Sequence, residues 1–260
     1  MDNRAIGVFD SGVGGVTVLK EIKTVLPNEN YIYIGDTASF PYGSKSKQTI
    51  IELSKKHIQK LISLDVKMVV IACGTATSQA LNEMKNFFNI PILGIINPTI
   101  EYLKKENLKR IGVIATTGTI RSKGWKNSLE REINDVIVLS KACPLLAPMA
   151  EEGWTENEIA KLTIKEYLKD IRDIDALILG CTHYPLFEKL IKKELGNNIE
   201  IINTGKMVAN EIKKYIEQNN LQNSMERSLT EIYLTDTECN FINVAKNILK
   251  VENLNIKKIE

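Results

Sequence analysis

Two cysteines in this chain stand where thiol chemistry is possible. MVVIACGTAT (68–77) and LILGCTHYPL (177–186) each run from an aliphatic stretch into a cysteine with a threonine close behind, Cys73 with Thr75 and Cys181 with Thr182. The second adds His183, one of two histidines in the chain. The thiolate is the reactive form of cysteine, and a helix N-terminus favours it through backbone N–H groups and the helix dipole. Two thiols reaching one carbon from opposite faces suit stereochemical inversion: one removes a weakly acidic proton, the other supplies one, and the roles exchange in the reverse direction. A single free cysteine is more often inert core, because free Cys is among the most buried residue types. The repeated placement sets Cys73 and Cys181 apart, whereas Cys143 and Cys239 lack it and read as packing residues.

The elements that must position these thiols follow from the apolar pattern. An aliphatic run without alternation is a strand buried on both faces, and an apolar-periodic stretch after it is a helix. AIGVF, YIYIG, MVVIA and PILGI read as strands, with helices over VTVLKEIKTVL, Gln48 to Leu64 and ALNEMKNFF. After Pro98 the series restarts with RIGVIA, a helix from Thr119 to Glu132, VIVL, a helix from Thr155 to Lys169, ALILG, a helix near Phe187 to Glu194, and IEIIN. Alternating strands and helices predict an α/β fold with parallel sheets and right-handed crossovers. Ligands in such sheets bind at the strand C-termini. The restart is an internal repeat: Ile6-Gly7-Val8-Phe9 before Asp10-Ser11 corresponds to Ile111-Gly112-Val113-Ile114 before Ala115-Thr116-Thr117. Cys73 lies 67 residues beyond Ile6, and Cys181 lies 70 beyond Ile111. The expected fold is therefore two similar α/β domains with parallel sheets, related by pseudo-two-fold symmetry, with the active site in the cleft between them. The Asn- and Lys-rich tail is expected to hold no site.

Composition narrows the class. A chain of 260 residues with 43% hydrophobic content can build one large or two modest cores. A formal net charge of +2, with acids and bases interspersed, leaves no footprint for nucleic acid. The longest apolar runs are strand-sized, too short for a membrane span. MDNRAIGVFD has no signal-peptide pattern, which makes a cytoplasmic location the expectation. Four cysteines without CxxC spacing argue against a disulfide framework and against a zinc site, and no metal is expected.

IGVFDSGVGG (6–15), YIGDTASFPYG (33–43), ACGTATS (72–78), the EEG of MAEEG (149–153) and GCTHYPL (180–186), in order along essentially the whole chain, resemble the bacterial glutamate racemases of the aspartate/glutamate racemase family. These are cofactor-independent enzymes that supply D-glutamate for peptidoglycan. The resemblance implies a first domain of 1–97 plus 208–260 and a second of 98–207, the C-terminal part returning to the first. It implies that Cys73 acts on D-glutamate and Cys181 on L-glutamate. Asp10 and Ser11 would hold the amino group and support Cys73; His183 and Glu151, or Glu152 in another alignment, would support Cys181. Pro41, Tyr42 and Gly43 would bind the side-chain carboxylate through backbone N–H groups, which form nests that favour anions. Thr75 and Thr182 would bond the α-carboxylate, with Gly74 beside them. The implied substrate is glutamate, with no cofactor, and a homodimer is the expected assembly. Closure of the domains is expected to hinge near Pro98 and Thr204.

Simpler roles exist for these residues taken singly: Asp10 and Ser11 could cap the helix near Gly15, Thr75 the next, and His183 could be a satisfied loop residue. Three positions depart from the family pattern. Gly74 stands where an asparagine is usual, Asn97 where an acid is common, and Asn203-Thr204 where Asp-Ser is common. Two rival readings remain. DSGVGG after the first strand, with Asp36 after the second, imitates a dinucleotide fingerprint, though Thr17 occupies the third glycine position. Gly74 alternatively suggests a glutamate-binding relative without catalysis, against which stand both thiols, Asp10, Glu151 and His183.

Overall fold

A computed structural model describes residues 1–225 and 228–259. The first part of the chain forms β1 (Ile6–Asp10), α1 (Gly15–Val25), β2 (Tyr31–Gly35), α2 (Lys47–Ser63), β3 (Met68–Ile71), α3 (Gly74–Phe87), β4 (Ile92–Gly94) and α4 (Ile96–Glu106). It continues through β5 (Arg110–Ala115), α5 (Thr117–Arg121), α6 (Gly124–Glu132), β6 (Ile137–Ala142), α7 (Leu146–Glu151), α8 (Glu158–Leu168), β7 (Ala176–Leu179), α9 (Glu188–Leu195) and β8 (Glu200–Asn203). The remainder is α10 (Thr204–Gln218), β9 (Thr230–Leu234), α11 (Phe241–Leu249) and β10 (Ile256–Lys258).

The strands form two sheets, ordered β10-β9-β2-β1-β3-β4 and β6-β5-β7-β8, and the pairings within each are parallel. The order β2-β1-β3-β4 is repeated by β6-β5-β7-β8, so the repeat read in the sequence is a repeat of topology. β1, β3 and β7 are buried along their whole length, which is why their sequences lack alternation. β1 pairs with β3 from Ile6↔Met68 to Phe9↔Ile71, and β5 with β7 from Ile111↔Ala176 to Ile114↔Leu179. That register carries Cys73 and Cys181 to equivalent places, each two residues past its strand.

Several elements differ from the sequence reading. The helix expected over 119–132 is two, broken where Lys123 adopts a left-handed φ of 55°. The helix expected from Thr155 starts at Glu158, because Asn157 caps it by accepting the Ala160 N–H at 2.9 Å. Pro98 lies in the first turn of α4, where a missing N–H costs nothing. The tail is built into the fold, with β9 beside β2 and β10 beside β9. Buried Lys67 ties this return together: its Nζ donates to Glu29 and to the carbonyls of Asp2 and Leu221, while Glu29 accepts the Asn223 N–H. Among the described residues no helix is long and apolar enough to cross a membrane.

Candidate active site

The strand tips of the two sheets meet, and the expected site residues gather there. Cys73 and Cys181 are 5% and 6% exposed, and both are free thiols. Cys73 caps α3: its Sγ accepts the Ala76 N–H at 3.5 Å and donates to Ser11 Oγ at 3.6 Å. Burial, reinforced by the charge of Asp10, pushes this thiol up to about 12. The helix terminus that the sequence suggested would favour the thiolate is thus outweighed by desolvation.

Asp10 ends β1, fully buried. Its Oδ1 accepts the Gly12 N–H at 3.0 Å and its Oδ2 accepts the Thr182 hydroxyl at 3.1 Å, so the carboxylate joins the two halves. Burial raises its carboxyl to about 6, although the charge of His183 and the two hydrogen bonds pull it down.

Cys181 Sγ lies 3.7 Å from His183 Nδ1, and His183 Nε2 lies 2.7 Å from Glu151 Oε1. Glu151 is the acid against the histidine; Glu152 is exposed. Burial opposes charge on the ring, but the contacts with Cys181 and Glu151 win and raise His183 well above its ordinary value. With the ring protonated, Nε2 donates to Glu151, and the Gly14 N–H 3.2 Å away is a close neighbour that it does not accept. Glu151 Oε1 also accepts the Val13 N–H at 2.8 Å, Phe40 packs on the His183 ring at 5.5 Å, and Asn240 of the tail donates to the Glu151 carbonyl at 3.2 Å.

Thr75, Thr116 and Thr119 form a hydroxyl cluster across the cleft, with oxygens 2.9 to 3.2 Å apart. Thr119 was not singled out in the sequence, and Thr116 appeared there only as the repeat counterpart of Ser11. Tyr42 turns its hydroxyl inward to Asp36 Oδ2 at 2.6 Å, so only its backbone and that of Gly43 face the second half. A Cβ on Gly43 would lie 2.6 Å from Thr116 Cβ. Gly74 has no positive φ; among the described residues only Gly153 and Gly196 of the glycines do. What requires a glycine is close approach, since a Cβ there would lie 2.2 Å from the Gly180 carbonyl oxygen.

The dinucleotide reading loses its basis here. The approach to the DSGVGG turn is filled by Glu151 and His183, and Thr17 Oγ1 donates across to the Thr182 carbonyl at 2.8 Å. Asp36 is buried against Tyr42, Thr235 and His57. Among the described residues no His, Cys, Asp and Glu group has the arrangement of a metal site.

A repeated parallel α/β unit with one thiol at each corresponding strand tip is an arrangement suited to an isomerase acting at a stereocentre. The chain belongs to the Asp/Glu/Hydantoin racemase family, whose model matches residues 6–212. It is 40% identical over 250 residues to a glutamate racemase of Geobacter metallireducens, covering 95% of this chain and 93% of that one. With a glutamate racemase of Aquifex aeolicus it shares 43% over 249 residues, 95% of this chain and 94% of the relative. The fold matches the crystal structure of a glutamate racemase from Francisella tularensis in complex with D-glutamate at a TM-score of 0.94, with 35% identity, over 100% of this chain and 98% of that one.

Proposed function

We propose that the protein interconverts L- and D-glutamate by two-thiol proton transfer at Cα, with Cys73 and Cys181 on opposite faces of the substrate, and so supplies D-glutamate for peptidoglycan. The observation that carries this reading is the pair of thiols at equivalent strand tips, each with its own polar partner: Ser11 for Cys73, His183 with Glu151 for Cys181. The full-length similarity to glutamate racemases supports the choice of substrate.

The chemistry follows from the charges. Removing the α-proton creates negative charge beside a carboxylate, which must be stabilised by fixed donors in a site shielded from water. The threonine cluster and the N–H groups around Tyr42 and Gly43 are donors for the two carboxylates, and Asp10 is the acceptor for the ammonium. Cys73, held up near 12, rests as a thiol and is ready to donate. On the other side, His183 can pass a proton to or from Cys181. In the L to D direction Cys181 is the base and Cys73, resting as a thiol, is the acid. For the reverse direction Cys73 must ionise, which the substrate ammonium promotes by neutralising Asp10. Entry needs the halves to part, and we assign 1–97 with 208–260 to one moving unit and 98–207 to the other. α4 and α10, which pack together where the chain crosses between the sheets, are the proposed hinge.

The deciding experiment is incubation of purified protein with L-glutamate in deuterated water without added cofactor. Loss of optical rotation accompanied by α-deuterium incorporation is the expected result; binding without exchange would instead establish the non-catalytic relative that Gly74 suggested.

Asp10 gives a pH prediction. Burial holds its folded pKa at about 6, above the ordinary value of 3.8, so its favourable contribution to stability is complete below about 4 and disappears as pH rises through 6. Asp10→Asn should remove that slope and raise stability at pH 8 by up to about 3 kcal/mol. Activity should move oppositely, with wild-type kcat/KM rising as Asp10 ionises near pH 6 and the variant losing turnover. Urea midpoints and kinetics between pH 4 and 8 check both; a variant with wild-type kinetics would remove Asp10 from the site.

A further inference from the structure

His57, the second histidine of the chain, has no place in the proton transfer, yet it is buried beside the loop that closes the site. It sits on α2 with its side chain 1% exposed and its ring stacked on Phe9 at 5.3 Å. Its Nε2 is 3.1 Å from Asp36 Oδ2, though too oblique for a directed hydrogen bond, and has no other hydrogen-bond partner. Buried polar groups keep their place through such contacts, and Asp36 is the one carboxylate that Nε2 meets among the described residues. Asp36 follows β2, gives its N–H to the Asp10 carbonyl at 3.0 Å, and accepts Thr235 Oγ1 at 3.0 Å and the Tyr42 hydroxyl at 2.6 Å. Thr235 also accepts the Ala38 N–H at 2.9 Å. Asp36 is thus a buried junction joining the tip of β1, the returning tail and the Pro41-Tyr42-Gly43 loop.

We propose that His57 is a positioning residue for side-chain recognition: through Asp36 and the Tyr42 hydroxyl it holds the loop at residues 41–43 at the depth that fits a five-carbon dicarboxylate. This rests on the reading above, in which that loop receives the side-chain carboxylate of glutamate. The physical reason is economy of contact. The loop is a short 3-10 turn, Tyr42–Ser44, with no strand pairing of its own. On the side of its own domain, the Tyr42 hydroxyl anchors it to Asp36, and on the other side Gly43 abuts Thr116. A buried carboxylate keeps its place only with charge or donors around it, and Nε2 of His57 is the only ring or ammonium nitrogen within ion-pair distance of Asp36 among the described residues. Removing it would leave Asp36 under-compensated and free Tyr42 to shift, which alters where the loop N–H groups meet the substrate and leaves the thiols untouched.

The test compares wild type with His57→Leu, which keeps apolar packing on Phe9, and His57→Gln, which keeps a donor, reading kcat and KM for glutamate and the inhibition constant of L-aspartate. His57→Leu should raise KM about tenfold, equivalent to about 1.4 kcal/mol, with kcat within about twofold, and should narrow the preference for glutamate over aspartate. His57→Gln should recover most of the affinity. Tyr42→Phe breaks the same link further along, so combining it with His57→Leu should add little to the larger single effect. An unchanged KM and preference in folded His57→Leu, or a loss confined to kcat, would overturn the proposal. If His57→Leu fails to fold, an unchanged KM and preference in Tyr42→Phe would do the same. A wild-type enzyme inert towards glutamate overturns the substrate reading and this inference with it, whereas active wild type with indifferent variants overturns this inference alone.

Discussion

Cys73→Ser and Cys181→Ser should each lower racemisation of glutamate in both directions by about 10²–10⁴-fold, the range spanned by a positioned acid or base. A hydroxyl is a far poorer base than a thiol at neutral pH, and each direction needs both faces of the substrate. The surrounding geometry makes the loss specific to chemistry. Serine is smaller than cysteine, Cys73 makes only weak sulfur contacts with Ser11 and Ala76, and Cys181 only one with His183. Thermal midpoints should therefore stay close to wild type. Cys143, buried where its carbonyl accepts the Tyr184 hydroxyl at 2.7 Å, and exposed Cys239 serve as controls. Cys143→Ser and Cys239→Ser should keep turnover. Exchange of the α-proton in deuterated water adds a second readout, because a variant with one working thiol can wash in deuterium from that face without inverting the carbon. Substantial two-way racemisation in either strand-tip variant would sink the two-thiol mechanism.

What was legible in the sequence was what local pattern controls. β1, β3, β5 and β7 are buried parallel strands, so their aliphatic runs announce them, and the repeated interval to each cysteine reports a repeated topology. The motif residues Asp10, Cys73, Glu151, Cys181 and His183 were legible by resemblance, and the fold brings them to one seam. The rest depends on how the halves meet. Thr119 looks like any residue in a helix's first turn until α5 is set against α3, where it reaches Thr75. Phe40 and Asn240 gain their neighbours only through long-range packing onto His183 and Glu151. The tail looked inert because its composition is polar, yet pairing of β9 with β2 delivers Thr235 to Asp36. His57 carried no motif at all. Two short-range errors have short-range causes: Lys123 breaks a helix by taking a left-handed conformation, which no sequence periodicity signals, and Asn157 starts one three residues late by capping it.

Gly74→Ala should lower kcat/KM by about 10- to 100-fold while leaving the fold as stable as before. Reading the sequence alone, an asparagine here would be expected to tighten glutamate binding by supplying an amide, unless glycine served a positive φ. The second idea is removed by a helical Gly74 at the start of α3, and the first is complicated by geometry, because any Cβ must displace the Gly180 backbone oxygen from 2.2 Å. Gly74 follows Cys73 and Gly180 precedes Cys181, so this contact joins the backbone beside one thiol to the backbone beside the other. Overpacking of this kind costs about 1–3 kcal/mol, and each 1.4 kcal/mol is tenfold. If the halves part as proposed, the methyl meets nothing in the unfolded and open states, and alanine favours helix over glycine by up to about 1 kcal/mol, so the cost falls on closing the cleft. Intact thermal stability with reduced turnover is the signature that separates a closure defect from misfolding. Gly74→Asn carries the same Cβ and adds the amide, whose hydrogen bond to a charged substrate group contributes about 1.5–3 kcal/mol. The two terms are of similar size, so Asn should show a lower KM than Ala and no clear gain over wild type. The difference between the variants measures the amide, and the difference between wild type and Ala measures the steric term. Wild-type kinetics in Gly74→Ala would mean that the strand tips need not approach this closely during turnover.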